Sequence, residues 1–312
     1  MVWRIESMAR KVQDIANGVA HLPVSIANVY FVDGASGGWV LVDAGTPGKA
    51  AMILDAAEGR YGAGAKPSAI LLTHGHFDHA GSALELARVW SVPVYAHRLE
   101  LPYLTGRSCY PPPDPTAPGF MSFLSRFFSP KPFDLGGLVR ELPHEDSLPG
   151  LENWQWHHTP GHTPGHVSFF RPKDGTLLAG DAFATVDLDS AFAMITKKQS
   201  ISRPPTPMTC DWAAAAQSVR HLASLGPSRL ACGHGTPMCG KEIHEDFAEF
   251  ARNFPVPSHG RYLAEPARAD ESGITYLPPK PPDPALNVAA GLGVAAVAAT
   301  MFTVAAKRRA TR

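Results

Sequence analysis

Thr73-His74-Gly75-His76-Phe77-Asp78-His79 follows directly on the apolar run Ala69-Ile70-Leu71-Leu72, and the reading of the whole chain turns on this stretch. The short apolar run reads as a buried strand. Its end delivers three histidines and an aspartate within six residues, a pattern that chance would produce in roughly one chain in a thousand of this length. Neutral imidazole nitrogens and carboxylate oxygens are what divalent ions take at about 2.0–2.2 Å, and a catalytic site keeps one position open for water. Adjacent Asp78 and His79 cannot easily share an ion with both His74 and His76. The spacing therefore predicts two ions, one on His74 and His76 and the other on Asp78 and His79, each completed from elsewhere in the chain.

Upstream, residues 15–19, 28–32 and 39–42 read as strands of an antiparallel sheet, closed by the turn Asp43-Ala44-Gly45-Thr46. Helical patterns over 47–61 and 81–90 flank the quoted stretch, and 92–96 is a further strand. The second half repeats the theme. Strands at 154–158 and 167–171 enclose Thr159-Pro160-Gly161-His162-Thr163-Pro164-Gly165-His166, and the run 176–179 leads into Gly180-Asp181. A helix over 211–225, capped by Thr209 or Asp211, precedes a strand at 229–232 that ends in Gly233-His234-Gly235, and 242–253 is expected to be the last helix of the domain. Strands alternating with helices after an antiparallel opening predict an α/β architecture with helices on the sheet faces.

His74 to His79 forms HxHxDH, and in this it resembles the metallo-β-lactamase superfamily. The remaining motifs of that family stand in order: Thr159-Pro-Gly-His162, Gly180-Asp181, Gly233-His234-Gly235 and, upstream, Asp43 in Val-Asp-Ala-Gly. The resemblance implies a four-layer αβ/βα sandwich, an α/β (α+β) fold with metals at one edge of two sheets. Carried over residue by residue, it implies one metal on His74, His76 and His162, another on Asp78, His79 and His234, and Asp181 bridging them. His166 and Asp43 are expected to support these ligands from behind. The implied cofactors are two Zn²⁺ per chain, with Fe or Mn as alternatives. Eight other histidines, His21, His97, His144, His157, His158, His221, His244 and His259, read as ordinary ones, with His97 a buried structural group.

Composition bounds the partners. Lys and Arg total 28, as do Asp and Glu, so no net field draws the chain to nucleic acid, and a small-molecule acyl substrate is expected instead. Four cysteines, Cys109, Cys210, Cys232 and Cys239, are too few and too scattered for a disulfide framework. The first fifteen residues carry charges throughout and do not read as a secretory signal. Domain boundaries are expected at 1–265 for the hydrolase domain, with a Pro- and Phe-rich insert at 98–149 acting as a lid, and at 266–286 for a stiff Pro-rich linker. Residues 287–306 include 19 positions without a charge and are followed by a basic tail at 307–312. This pattern predicts a C-terminal transmembrane helix anchoring the enzyme on the cytoplasmic side of a membrane.

The expected activity is hydrolysis of an ester, lactone or thioester by a hydroxide bridging a dinuclear site, with Asp78 or a bound water protonating the leaving group. β-Lactam hydrolysis is the alternative, although an intact Asp181 resembles the glyoxalase II and lactonase branches more than the β-lactamases. A second alternative is a mononuclear iron dioxygenase of the persulfide-oxidising type, with His74, His76 and Asp181 on one ferrous ion.

Overall fold

The computed structural model describes residues 12–127, 134–143 and 147–283. The chain opens with β1 (Gln13–Ala16), β2 (Val19–Val24), β3 (Ala27–Asp33) and β4 (Trp39–Val42), a meander of antiparallel neighbours. Helix α1 (Ala50–Tyr61) leads to β5 (Ile70–Leu71), and α2 (Phe77–Ala80) with α3 (Ala83–Trp90) leads to β6 (Val94–Ala96). After α4 (Leu101–Leu104) and α5 (Phe120–Leu124), β7 (Val139–Glu141) closes a seven-stranded sheet in the order β1 to β7, its β4 to β7 half parallel. Crossover helices enforce that change from antiparallel to parallel pairing.

The second half forms β8 (Gln155–His158), β9 (Val167–Arg171) and β10 (Thr176–Gly180), again antiparallel. A small excursion follows: β11 (Ala184–Val186), α6 (Ala191–Thr196) and β12 (Gln199–Ser202), the two strands pairing as a ribbon. Then α7 (Trp212–Ser224), β13 (Arg229–Cys232), β14 (Met238–Cys239) and α8 (Ile243–Arg252) complete a five-stranded sheet, order β14-β13-β10-β9-β8. Asp211 caps α7, its side chain accepting Ala214 N.

Alternation along the strands builds the layers. Phe31, Leu41 and Ile70 face outward and pack with Ile53 and Ala57 of α1 and Leu86 and Trp90 of α3. Their neighbours Tyr30, Val40, Val42 and Leu71 face inward, meeting Trp156, Phe169 and Leu178 of the other sheet. On the far side Phe170, Leu177 and Leu230 pack against Val219 and Leu222 of α7 and Phe247 of α8. Three buried layers of side chains thus separate helix, sheet, sheet and helix, the four-layer α/β sandwich expected from the sequence.

Several expectations differ from the structure. Residues 13–24 form two strands around Gly18 in place of one at 15–19, and α8 is not the last helix, since α9 (Arg261–Ala264) follows it. Within the stretch expected to be a bare linker, β15 (Arg268–Asp270) and β16 (Gly273–Tyr276) form a hairpin, and Arg261 donates to Pro278 O at 2.7 Å. Asp283 pairs with Arg126 at 2.8 Å, so the proline-rich chain lies against the domain. Prolines lack a backbone donor but still accept, and the Pro278 carbonyl together with the Asp283 carboxylate fastens this segment.

Among the described residues no helix is long and apolar enough to cross a membrane. The longest, α7, has 13 residues and spans about 20 Å, well short of a hydrocarbon core of about 30 Å. No described helix therefore bears out the expected transmembrane helix or the membrane-anchored location built on it. Residues 287–306 themselves lie outside the described residues.

Candidate metal centre

Strand ends carry the polar cluster. β4 ends at Asp43, whose backbone is held at φ +60°, and β5 ends at the turn that presents His74 and His76 before α2 supplies Asp78 and His79. His162 sits in the β8–β9 turn, Asp181 follows β10, and His234 follows β13. All eight side chains are buried, and the seven besides Asp43 draw together. They form three overlapping groups whose ligand atoms lie within 4.8 Å of one another: His74, His76 and His162; His74, His79 and Asp181; Asp78, His79 and His234.

Hydrogen bonds behind the rings determine which nitrogen faces inward. Thr73 Oγ1 donates to Asp43, so it accepts from His74 Nδ1 at 3.1 Å and leaves His74 Nε2 bare. Thr209 Oγ1 donates to Pro205 O and lies 3.4 Å from His162 Nδ1, with the same consequence for His162 Nε2. His79 Nδ1 donates to Asp43 at 2.7 Å, and His234 Nδ1 donates to Ile26 O at 2.8 Å. A histidine that donates through one nitrogen offers a lone pair on the other.

These lone pairs converge. His76 Nδ1 lies 3.1 Å from His74 Nε2 and 2.9 Å from His162 Nε2, yet it has at most one proton to share between them. On the other side, His79 Nε2 and Asp181 Oδ1 are buried without any hydrogen-bond partner and stand 3.5 Å apart. Asp181 Oδ2 lies 3.5 Å from His162 Nε2 and 3.2 Å from His234 Nε2, while Asp78 Oδ2 lies 3.4 Å from the same His234 nitrogen. Buried polar atoms are ordinarily satisfied, so orphans aimed at a common centre fit a site for a cation. The donor set of imidazoles and carboxylates suits a divalent one.

Electrostatics divide the cluster. Burial and the neighbouring histidines push His74 well below its ordinary pKa. Burial does the same to His162, and it lowers His76 to about 4, so all three are neutral as ligands must be. Burial also opposes charge on His79 and His234, but Asp181 and the other carboxylates prevail, raising His79 well above the usual value and His234 to about 9. Burial would raise the pKa of Asp181, and the charges of His234 and His79 instead hold it well down. Positive charge is what this half of the cluster demands.

His166 stands apart. Its Nε2 accepts Asp181 N at 2.8 Å and its Nδ1 donates to Thr159 Oγ1 at 2.8 Å, so it positions the Asp181 backbone. Asp43 accepts from Thr73 N and Oγ1 as well as from His79, tying β4 to the histidine turn. None of the other described histidines joins the cluster. His97 is buried, stacks on His158 at 4.2 Å and accepts Leu99 N, while His144 lies outside the described residues.

Glu100 was not anticipated. Fully buried, it accepts Gly75 N at 3.0 Å, Gly165 N and Thr163 Oγ1 at 2.8 Å each, and the Tyr110 hydroxyl. It thereby clamps the turn of His74 and His76 to the turn of His162. Tyr110 lies edge-on to His76 at 4.5 Å, so tyrosines of the 98–149 segment reach the cluster, whereas Phe120, Phe123 and Phe127 are exposed. A glutamate in Arg98-Leu99-Glu100 carries no motif that would single it out.

A family model described as the metallo-beta-lactamase superfamily matches residues 22–234. The chain belongs to that superfamily. It is 44% identical over 241 residues to the probable metallo-hydrolase YflN of Bacillus subtilis, covering 76% of this chain and 91% of that protein. It is 29% identical over 182 residues to the probable metallo-hydrolase YybB of the same organism, covering 58% and 70% of the two chains. Among solved structures, a beta-lactamase domain protein from Burkholderia ambifaria superposes with a TM-score of 0.54 at 20% identity, covering 80% of this chain and 79% of that one. That likeness concerns the fold. Membership in a metallo-hydrolase superfamily and a buried His/Asp cluster suited to divalent metal agree with one another.

Proposed function

We propose that this superfamily member is a dinuclear metallo-hydrolase acting on an ester, lactone or thioester. The observation that carries the reading is the pair of partnerless buried atoms, His79 Nε2 and Asp181 Oδ1, set between two complete donor groups. His74, His76 and His162 would hold one ion, Asp78, His79 and His234 the other, with Asp181 shared between them. Zinc suits these nitrogen and oxygen donors, and iron or manganese would be held by the same atoms. Bound ions would supply water ionised near neutral pH and would polarise the substrate carbonyl.

The protein's own contribution is position and proton handling. Thr73, Thr209, Asp43 and the Ile26 carbonyl fix four imidazole rings through their outer nitrogens, so no reorganisation is needed when charge develops. Asp78 Oδ2, 3.4 Å from His234 Nε2, would take the proton released by the attacking water and pass it to the departing alcohol or thiol. The group Asp78, His79 and His234 favours two ions over the single ferrous ion of a dioxygenase.

The test is a panel of p-nitrophenyl esters, homoserine lactones, acyl thioesters and a cephalosporin, assayed on protein of measured metal content. Turnover of acyl substrates with two ions per chain is expected. One iron per chain with oxygen consumption and no hydrolysis would overturn the proposal.

A further inference from the structure

His234 also forms part of the wall of a cavity of about 320 Å³. The cavity is at the small end for ligand pockets, with room for roughly ten heavy atoms at about the 30 Å³ that a liquid water claims. Its sides differ in character. Ile26, from the turn between β2 and β3, and Leu188 and Met194, from the excursion that carries α6, give it apolar surface. His21 and Asn28 lie on the lining already bonded to each other at 2.8 Å, and Asn28 spends its amide on the carbonyls of Cys232 and Gly235.

Charge on the lining has one sign. Lys197 is the only lysine or arginine among the described lining residues, and no aspartate or glutamate is among them. Lys197 is exposed, and its backbone at φ +54° ends α6 with a left-handed turn that brings the residue to the cavity. Burial lowers the pKa of His21, the Asn28 bond opposes this, and the charge of Lys197, on the same lining, adds to the lowering. A larger groove of about 690 Å³ between β12 and α8 has the opposite balance, with Asp187, Asp189, Asp246 and Glu249 against Arg203 on its lining and no residue of the metal cluster.

Resting on the hydrolase reading above, we propose that the acyl part of the substrate fills the cavity beside His234 and ends in an anionic group that pairs with Lys197. The chain between the reacting carbonyl and that anion lies on Ile26, Leu188 and Met194. The substrate class is thus an ester, lactone or thioester of a short acid carrying a terminal carboxylate or phosphate, and Lys197 determines specificity without touching the reacting atoms.

Two esters of equal acyl length, p-nitrophenyl hexanoate and mono-p-nitrophenyl adipate, isolate the terminal charge, and an analogue ending in phosphate shows which anion is preferred. The metal-loaded wild type is expected to favour an anionic ester by about tenfold in kcat/KM, the scale of one charged hydrogen bond, mainly through KM, with the margin shrinking in 1 M salt. Lys197→Met should lose the preference while keeping hexanoate turnover, and Lys197→Glu should reverse it. Equal rates for charged and neutral esters in the wild type, or a preference that survives in Lys197→Met, would overturn the inference and leave the hydrolase reading intact. Failure of the metal-loaded protein to hydrolyse these esters or any lactone or thioester of the panel above would instead sink the hydrolase reading and this inference together.

Discussion

His79 Nε2 and Asp181 Oδ1 face each other 3.5 Å apart in the buried interior, and neither has a hydrogen-bond partner. Leaving such groups unsatisfied costs about 1–3 kcal/mol each, more for a charged group. A divalent ion held by these two atoms would remove that cost, so metal binding is expected to add to stability.

Stripping the protein with a chelator should therefore lower its melting temperature, and restoring Zn²⁺ should recover it. At free metal about a thousandfold above Kd the linkage is worth about 4 kcal/mol. Differential scanning calorimetry with and without chelator checks this, and superimposable melts would contradict it.

Gly233 approaches the centre without contributing a ligand. A Cβ there would lie 2.1 Å from Asp181 Oδ1 and 2.5 Å from His79 Cε1. Gly233→Ala should displace both groups and cut metal affinity and turnover at least tenfold, since supporting changes typically cost about 10–100-fold. Metal titration of the folded variant decides it, and wild-type affinity would refute the close packing.

Glu100 joins the two histidine turns, so Glu100→Ala strands the donors of Thr163, Gly165 and Tyr110, while Gly75 N keeps the Tyr110 hydroxyl at 2.9 Å. At about 1–3 kcal/mol per unsatisfied donor, the variant should lose several kcal/mol in urea unfolding and bind metal more weakly. Unchanged stability would show that the clamp is dispensable.

His97 gives a pH signature. Burial, then the proximity of His158 and Arg98, lowers its pKa to about 3, against 6.5 for an exposed histidine. The unfolded chain thus binds the extra proton between those limits, and stability falls as pH drops from about 6.5 toward 3, by up to about 1.4 kcal/mol per pH unit from this group. His97→Asn keeps an acceptor for Leu99 N and should flatten that acid slope by up to this amount. Parallel slopes in wild type and variant would contradict it.

Much of this was legible in the chain because the informative residues cluster locally. HGHFDH spans six positions, and the turns bearing His162, Asp181 and His234 each follow a readable strand. Glu100 was not legible, because its role comes from bringing Gly75 and Gly165 to one carboxylate, a contact that no spacing encodes. Strand ends at Gly18, the α6 excursion and the 268–276 hairpin escaped for a related reason: each is short, and tertiary contacts decide its form more than periodicity does. The uncharged 287–306 stretch had the length and composition of a membrane helix, but length and composition are a weaker signal than a ligand constellation.

The most direct test is the metal stoichiometry of chelator-stripped protein dialysed against Zn²⁺, measured by mass spectrometry alongside ester hydrolysis on the same samples. Two ions per wild-type chain are predicted, with both occupancy and turnover collapsing in Asp181→Ala. A wild type that hydrolyses esters without bound metal, or an Asp181→Ala variant that keeps two ions and full activity, would contradict the account.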